Sequence, residues 1–177
     1  VRGLVHEHHV ARIDEQLGKK AALDTRFRDE NGREVTLASL FDKPVVILPI
    51  FFNCTAVCDM LQADLAQLLN QVDPVPGQDF TVVTLSFSDD EDPELAKTAK
   101  HNYSHIIKRD FPLENWLYLT GDRENILALT DSLGYYFVKR KPHVYVHPAA
   151  MVVLSPEGII TRYLYGPGFL PFDLGMA

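Results

Sequence analysis

The amino-acid sequence predicts an α/β fold: a three-layer α/β/α sandwich with a mixed central sheet and an N-terminal hairpin. Three observations carry the prediction. Short apolar runs rich in β-branched and aromatic residues occupy 45–52, 80–87, 116–120 and 149–154. Segments of helical periodicity separate the first three runs, which is the pattern of parallel strands joined by helical crossovers. A tight Ser155-Pro156-Glu157-Gly158 turn then folds 159–165 back on the preceding strand as an antiparallel hairpin.

Taken in order, residues 1–20 are polar, contain His6, His8 and His9, and read as a flexible N-terminal segment. Asn31-Gly32 lies between polar and apolar alternations in 27–35, the strongest short hairpin signal. Residues 45–52 are too short for a typical helix and read as a fully buried central strand. Pro49 predicts a local irregularity within that strand, because proline cannot donate to the ladder. A helix over 58–71 follows, with Leu61, Leu65, Leu68 and Leu69 on one face, and Pro74-Val75-Pro76-Gly77 ends it.

After the strand at 80–87, an acidic loop, Ser88-Asp89-Asp90-Glu91-Asp92, leads to Pro93, a residue suited to a first helical position. That helix is expected to run to about Lys108. Gly121-Asp122 opens another over 123–133, which Gly134 stops. Lys139-Arg140-Lys141-Pro142 reads as a polar turn, and 169–177 as the entry to a final helix that is incomplete. This order makes the sandwich thioredoxin-like, with one domain over 21–177.

A length of 177 residues suits a single domain, and 46% hydrophobic with 23% charged residues is ordinary for a soluble one. The net charge of −7, from 17 basic and 24 acidic residues without a long basic run, leaves no footprint for nucleic acid. No run reaches the 18 or so apolar residues of a membrane span, and residues 1–20 lack the order of a signal peptide. A soluble chain is expected, in the manner of a mature or trimmed ectodomain.

The only two cysteines, Cys54 and Cys58, fall where the first strand gives way to the first helix. Ligands in open α/β sheets bind outside the carboxyl ends of the strands, and backbone N–H groups at a helix start favour a thiolate. At i and i+4 on a regular helix, Cβ atoms stand about 5–6 Å apart, whereas a disulfide needs about 3.5–4.5 Å. One metal ion at about 2.3 Å from each sulfur bridges the wider gap. A disulfide requires Cys54 to bend off the helix, which the first turn permits. Metal capture with redox switching follows, with thiolates alone suiting Cu(I) and an added imidazole admitting Cu(II) or zinc.

Four histidines are candidates for that imidazole. His101 and His105 lie among Lys97, Lys100 and Lys108 and read as a solvated helix face, and His143 reads as a loop residue. His147 precedes Pro148 and the apolar run 149–154, so it sits where a loop enters a central strand. A lone histidine there is ordinarily structural.

Cys54-x-x-x-Cys58 after a buried strand, Trp116-Leu117-Tyr118-Leu119-Thr120-Gly121-Asp122, and His147 before Val152-Val153-Leu154-Ser155-Pro156-Glu157-Gly158 resemble the SCO/SenC family of copper-binding, thioredoxin-like proteins. The likeness runs from about Asp24 to Gly166. It implies copper, as Cu(I), Cu(II) or both, held by Cys54, Cys58 and His147, with the cysteines also a redox pair. It further implies a metallochaperone for the binuclear copper centre of cytochrome c oxidase, on the outer face of the inner membrane or in the periplasm. The implied partners are the copper-centre subunit and a periplasmic thiol reductase. Contact with a membrane is expected only through an anchor outside this chain, and a monomer is expected.

The chain departs from the family at Thr55 and Asp59, where prolines are common. It departs again at Ser88, where an aspartate is common. A second function is thiol:disulfide oxidoreduction on the cysteines of that copper centre or of another periplasmic protein. A peroxiredoxin-like peroxidase is disfavoured, because no arginine lies near the cysteine motif.

Overall fold

The structure is a computed structural model that describes residues 9–54, 57–171 and 174, except the side chains of Val57 and Cys58. Its centre is a five-stranded sheet of β4 (Val45–Ile50), β5 (Thr81–Ser86), β6 (Trp116–Leu119), β10 (Ala150–Leu154) and β11 (Ile160–Tyr165). The order is β11-β10-β4-β5-β6, with β4, β5 and β6 parallel and the β10–β11 hairpin antiparallel. Every residue of β4 and β5 is buried. Parallel strands covered on both faces lose the polar alternation of half-exposed ones. The three-layer sandwich read from the sequence is the observed fold.

Helix α1 (Val57–Gln71) joins β4 to β5, and α2 (Pro93–Ser104) joins β5 to β6. Leu61, Leu65, Leu68 and Leu69 of α1 are buried as expected, each burial being worth about 1.5–3 kcal/mol. Asp92 caps α2 by accepting from the Leu95 N–H at 2.9 Å, with Pro93 at its start. Asp122 caps α3 (Arg123–Ser132) in the same way through Asn125. Gly134 ends α3 at φ +65°, where a Cβ would stand 1.9 Å from the Asp14 carbonyl oxygen.

Four expectations need correction. Helix α2 ends at Ser104 rather than Lys108, because the chain beyond it serves α1. Asn70 donates to the Ile106 carbonyl and accepts from the Lys108 N–H, and Arg109 donates to the Leu69 and Val72 carbonyls at the end of α1. Pro49 causes no irregularity: the β4–β5 register runs unbroken through Pro49 opposite Leu85. On its other side, the ladder to β10 has already stopped at Ile47, so no donor is missed there.

The residues read as a polar turn are instead an arm of an exposed ribbon, β8 (Val138–Lys141) with β9 (Val144–Val146), turning at Pro142 and His143. His143 adopts φ +60° there. Finally, much of the N-terminal segment is fastened to the domain. Strand β1 (Arg12–Ile13) pairs with β7 (Tyr135–Tyr136), Gly18 donates to Ile160, and Lys20 bridges to Ile159. Residues 1–8, with His6 and His8, lie outside the described residues, as do most of those expected in the final helix. The Asn31-Gly32 hairpin is present as β2 (Arg26–Arg28) and β3 (Glu34–Thr36).

Candidate metal and thiol site

Cys54 follows β4 by four residues and is a half-buried free thiol packed at the edge of the core. Cys58 is the second residue of α1, so the two flank the strand-to-helix junction as the sequence predicts.

A buried carboxylate governs how the chain leaves β4. Glu91 is 6% exposed, and three donors converge on it: the Phe52 N–H at 2.6 Å, the Asn53 N–H at 2.8 Å and the Ser86 hydroxyl at 2.6 Å. The two backbone donors belong to the residues immediately before Cys54. Charge-assisted bonds of this kind are short and about twice as strong as neutral ones. Glu91 therefore anchors the segment that presents Cys54. Sequence reading missed it, because it is one of four acidic residues in a row and nothing in that run marks which one turns inward.

His147 reaches the same end of the sheet from the other direction. With Val152 opposite Ile47 in an antiparallel ladder, β10 begins beside the carboxyl end of β4. The His147 ring packs edge-on to Phe51, with centroids 5.7 Å apart, and lies 5.1 Å from Phe87. Phe51 is three residues before Cys54, so the fold brings the approach to Cys54 against His147. Tyr145 completes this aromatic floor, 5.0 Å from Phe51 and 5.3 Å from Phe87, and its hydroxyl donates to Ser88 at 3.0 Å.

The His147 tautomer follows from its neighbours. Its Nδ1 lies 2.9 Å from the Pro148 carbonyl oxygen, which can only accept, so Nδ1 carries the proton and donates. The Tyr135 hydroxyl lies 3.1 Å from the same Nδ1 and donates to the Pro148 carbonyl at 2.7 Å. The proton on Nδ1 makes Nε2 the lone-pair nitrogen, the arrangement a metal-ligating histidine needs. Burial pushes the His147 pKa below its ordinary value, and the bond to Pro148 opposes that shift without overcoming it. Neutral imidazole is the form that ligates.

Tyr135 is the second residue missed in the sequence. It is wholly buried on β7, and its hydroxyl reaches the site through Pro148 and His147. Of the other histidines, His143 is exposed at the β8–β9 turn, and His101 and His105 are exposed at the end of α2. His9 lines a cavity of about 170 Å³ beneath the ribbon, with Phe87, Phe137 and Tyr145. Among the described residues, no helix is long and apolar enough to cross a membrane.

Comparison with known proteins gives the following. The family model described as SCO1/SenC matches residues 14–167. A SCO1 protein homolog of Bacillus subtilis (strain 168) is 23% identical over 152 residues, covering 83% of this chain and 75% of the relative. A candidate electron transfer protein from Aquifex aeolicus VF5 superposes with a TM-score of 0.81 at 28% identity, over 90% of each chain. Arabidopsis thaliana ScoI, solved with copper bound, superposes with a TM-score of 0.69 at 20% identity, over 86% of this chain and 91% of that one.

Proposed function

Because the chain belongs to the SCO1/SenC family, we propose that it binds copper through Cys54, Cys58 and His147 and delivers it to, or matures, the binuclear copper centre of cytochrome c oxidase. The single observation that carries this reading is the His147 Nδ1–H···O=C bond to Pro148, which leaves Nε2 with the free lone pair beside the approach to Cys54 and so supports its role as a ligand. Two thiolates and one neutral imidazole suit Cu(I), and the imidazole extends the range to Cu(II). Arabidopsis ScoI, of the same fold, holds copper. Glu91 holds the Cys54 approach and Tyr135 orients His147, so these two parts of the site are held before the cargo arrives.

The resemblance to SCO/SenC proteins supports a place on the outer face of the inner membrane or in the periplasm. It also supports the copper-centre subunit as recipient, with a thiol reductase keeping the cysteines reduced.

The test is an anaerobic Cu(I) titration of the reduced chain. One equivalent is expected, lost in Cys54→Ser and in Cys58→Ser, while His147→Ala weakens Cu(I) binding and abolishes the thiolate-to-Cu(II) absorption band. Reduced wild type that takes up no copper overturns the proposal.

A second reading, thiol:disulfide oxidoreduction, is favoured by the position of Cys58 at the second residue of a 15-residue helix, whose N–H groups favour a thiolate. One thiolate attacks a partner disulfide and releases one partner thiolate. The other cysteine then displaces the second, leaving a Cys54–Cys58 disulfide and a reduced partner. This reaction needs both cysteines but survives His147→Ala, so that variant separates the two readings.

A further inference from the structure

Helix α2 carries a pair of imidazoles that the copper site does not use. His105 caps α2 with right-handed helical angles, φ −63° and ψ −21°, so the last turn continues through it and brings it edge-on to His101. Their Nε2 atoms stand 3.3 Å apart as a hydrogen-bonded pair, a contact that an ion between them would replace, and the rings are near perpendicular at 81° with centroids 4.6 Å apart. An ion bound at about 2.0–2.1 Å to each of two imidazole nitrogens at a tetrahedral angle spans about 3.3 Å between them. The pair already has the bite of a chelate.

The surroundings agree. Both rings are exposed, and they sit on the last turn of the helix, where the macrodipole favours a cation. Tyr103, about 160° away around the helix at 3.6 residues per turn, donates to Asp59 of α1 at 2.7 Å. The pair therefore turns away from α1 and from Cys58. Of the nearby cations, Lys100 is engaged by Glu30 and Lys108 lies beyond the helix end. Lys97, one turn earlier, is the exposed charge that an incoming ion meets.

We propose that His101 and His105 form a second metal site, an exposed two-imidazole chelate for Cu(II) or Zn(II), completed by water. Two neutral imidazoles select these ions among the divalent first-row metals, with Cu(II) bound most tightly. With only two protein ligands the site is open, so its ion exchanges readily, which suits capture at the surface rather than storage.

The test uses the full chain with Cys54→Ser, Cys58→Ser and His147→Gln, which removes the principal site, and with His6, His8 and His9 changed to Gln, which silences the N-terminal cluster. Titration with Cu(II), followed by electron paramagnetic resonance, is expected to fill one site with nitrogen hyperfine structure and no sulfur signature. Adding His101→Gln and His105→Gln is expected to remove that equivalent while the far-ultraviolet circular dichroism stays unchanged. Lys97→Glu, which places a carboxylate one turn away, is expected to tighten it. Cu(II) uptake that survives loss of both imidazoles overturns the proposal, as does Lys97→Glu leaving the affinity unchanged. Either failure is distinct from failure of the principal reading, which rests on Cu(I) uptake by the unaltered reduced chain.

Discussion

The segment leading to Cys54 and the segment leading to His147 meet at one end of the sheet, yet different chemistry holds each in place. On the Cys54 side, one buried carboxylate, Glu91, collects the Phe52 and Asn53 N–H groups and the Ser86 hydroxyl. On the His147 side the supporting groups among the described residues are neutral ones, the Pro148 carbonyl, the Tyr135 hydroxyl and the rings of Phe51 and Phe87. The first side depends on a single group. The second has overlapping supports, because the Pro148 carbonyl receives both the imidazole and the phenol. Equal-looking perturbations should therefore have unequal effects.

Glu91→Gln tests the single support and should have the largest effect. Its shape is kept, but the amide nitrogen brings a donor where a carboxylate oxygen accepted one. A buried donor then faces another donor, at a cost of about 1–3 kcal/mol, readable as a lowered urea midpoint at unchanged slope. Loss of such a support around a metal site weakens binding by about 10–100-fold, so Cu(I) affinity should fall while the imidazole resonances of His147 stay put. An unchanged urea midpoint would mean that the two sides are held equally well.

Tyr135→Phe tests the overlapping supports. The ring stays packed and the Nδ1–H of His147 still satisfies the Pro148 carbonyl, so the loss is confined to the hydroxyl's own bonds, chiefly the one to Pro148, at about 0.5–1.5 kcal/mol for a bond of this kind. Nitrogen resonances should still report a proton on Nδ1. A switch of tautomer would show that the phenol, not the carbonyl, selects it. The Glu91→Gln, Tyr135→Phe double variant should be additive within about 0.5 kcal/mol if the two sides are held independently.

The same contrast explains what could be read from the sequence. Strands and helices announce themselves through periodicity and caps, which are local. Asp92-Pro93, Asp122, Gly134 and the leucines of α1 all behave as their positions predict. Cys54 and Cys58 were visible because thiols are rare here and closely spaced. The holding groups were not visible. Glu91 and Tyr135 act over separations of 38 and 12 residues, through sheet pairings that no short window contains. The β8–β9 ribbon was hidden by composition, since Lys139, Arg140 and Lys141 resemble a solvated turn and are instead the exposed arm of a strand pair.

That ribbon supplies the smallest expected effect, although it ties the two sides together. Lys139, on the ribbon that leads to His147, meets Asp90 at 2.9 Å and Asp89 at 3.6 Å, both in the loop that carries Glu91. All three side chains are well exposed, so solvent screens the tie and it is weak despite its position. The hydrogen bond to Lys139 lowers the Asp90 pKa, and the same bond pushes Lys139 up to about 12. The Asp90 contribution is present above the ordinary carboxylate range and fades as pH falls through its lowered value. The Lys139 contribution is full below its ordinary value of 10.5 and fades as pH rises towards 12. The stability difference between wild type and Lys139→Met should therefore be flat between about pH 5 and pH 9 and shrink with added salt. A difference that changes within that window would mean the ribbon is held by a group that titrates there, and the separation of the site into a charged side and a neutral side would fail.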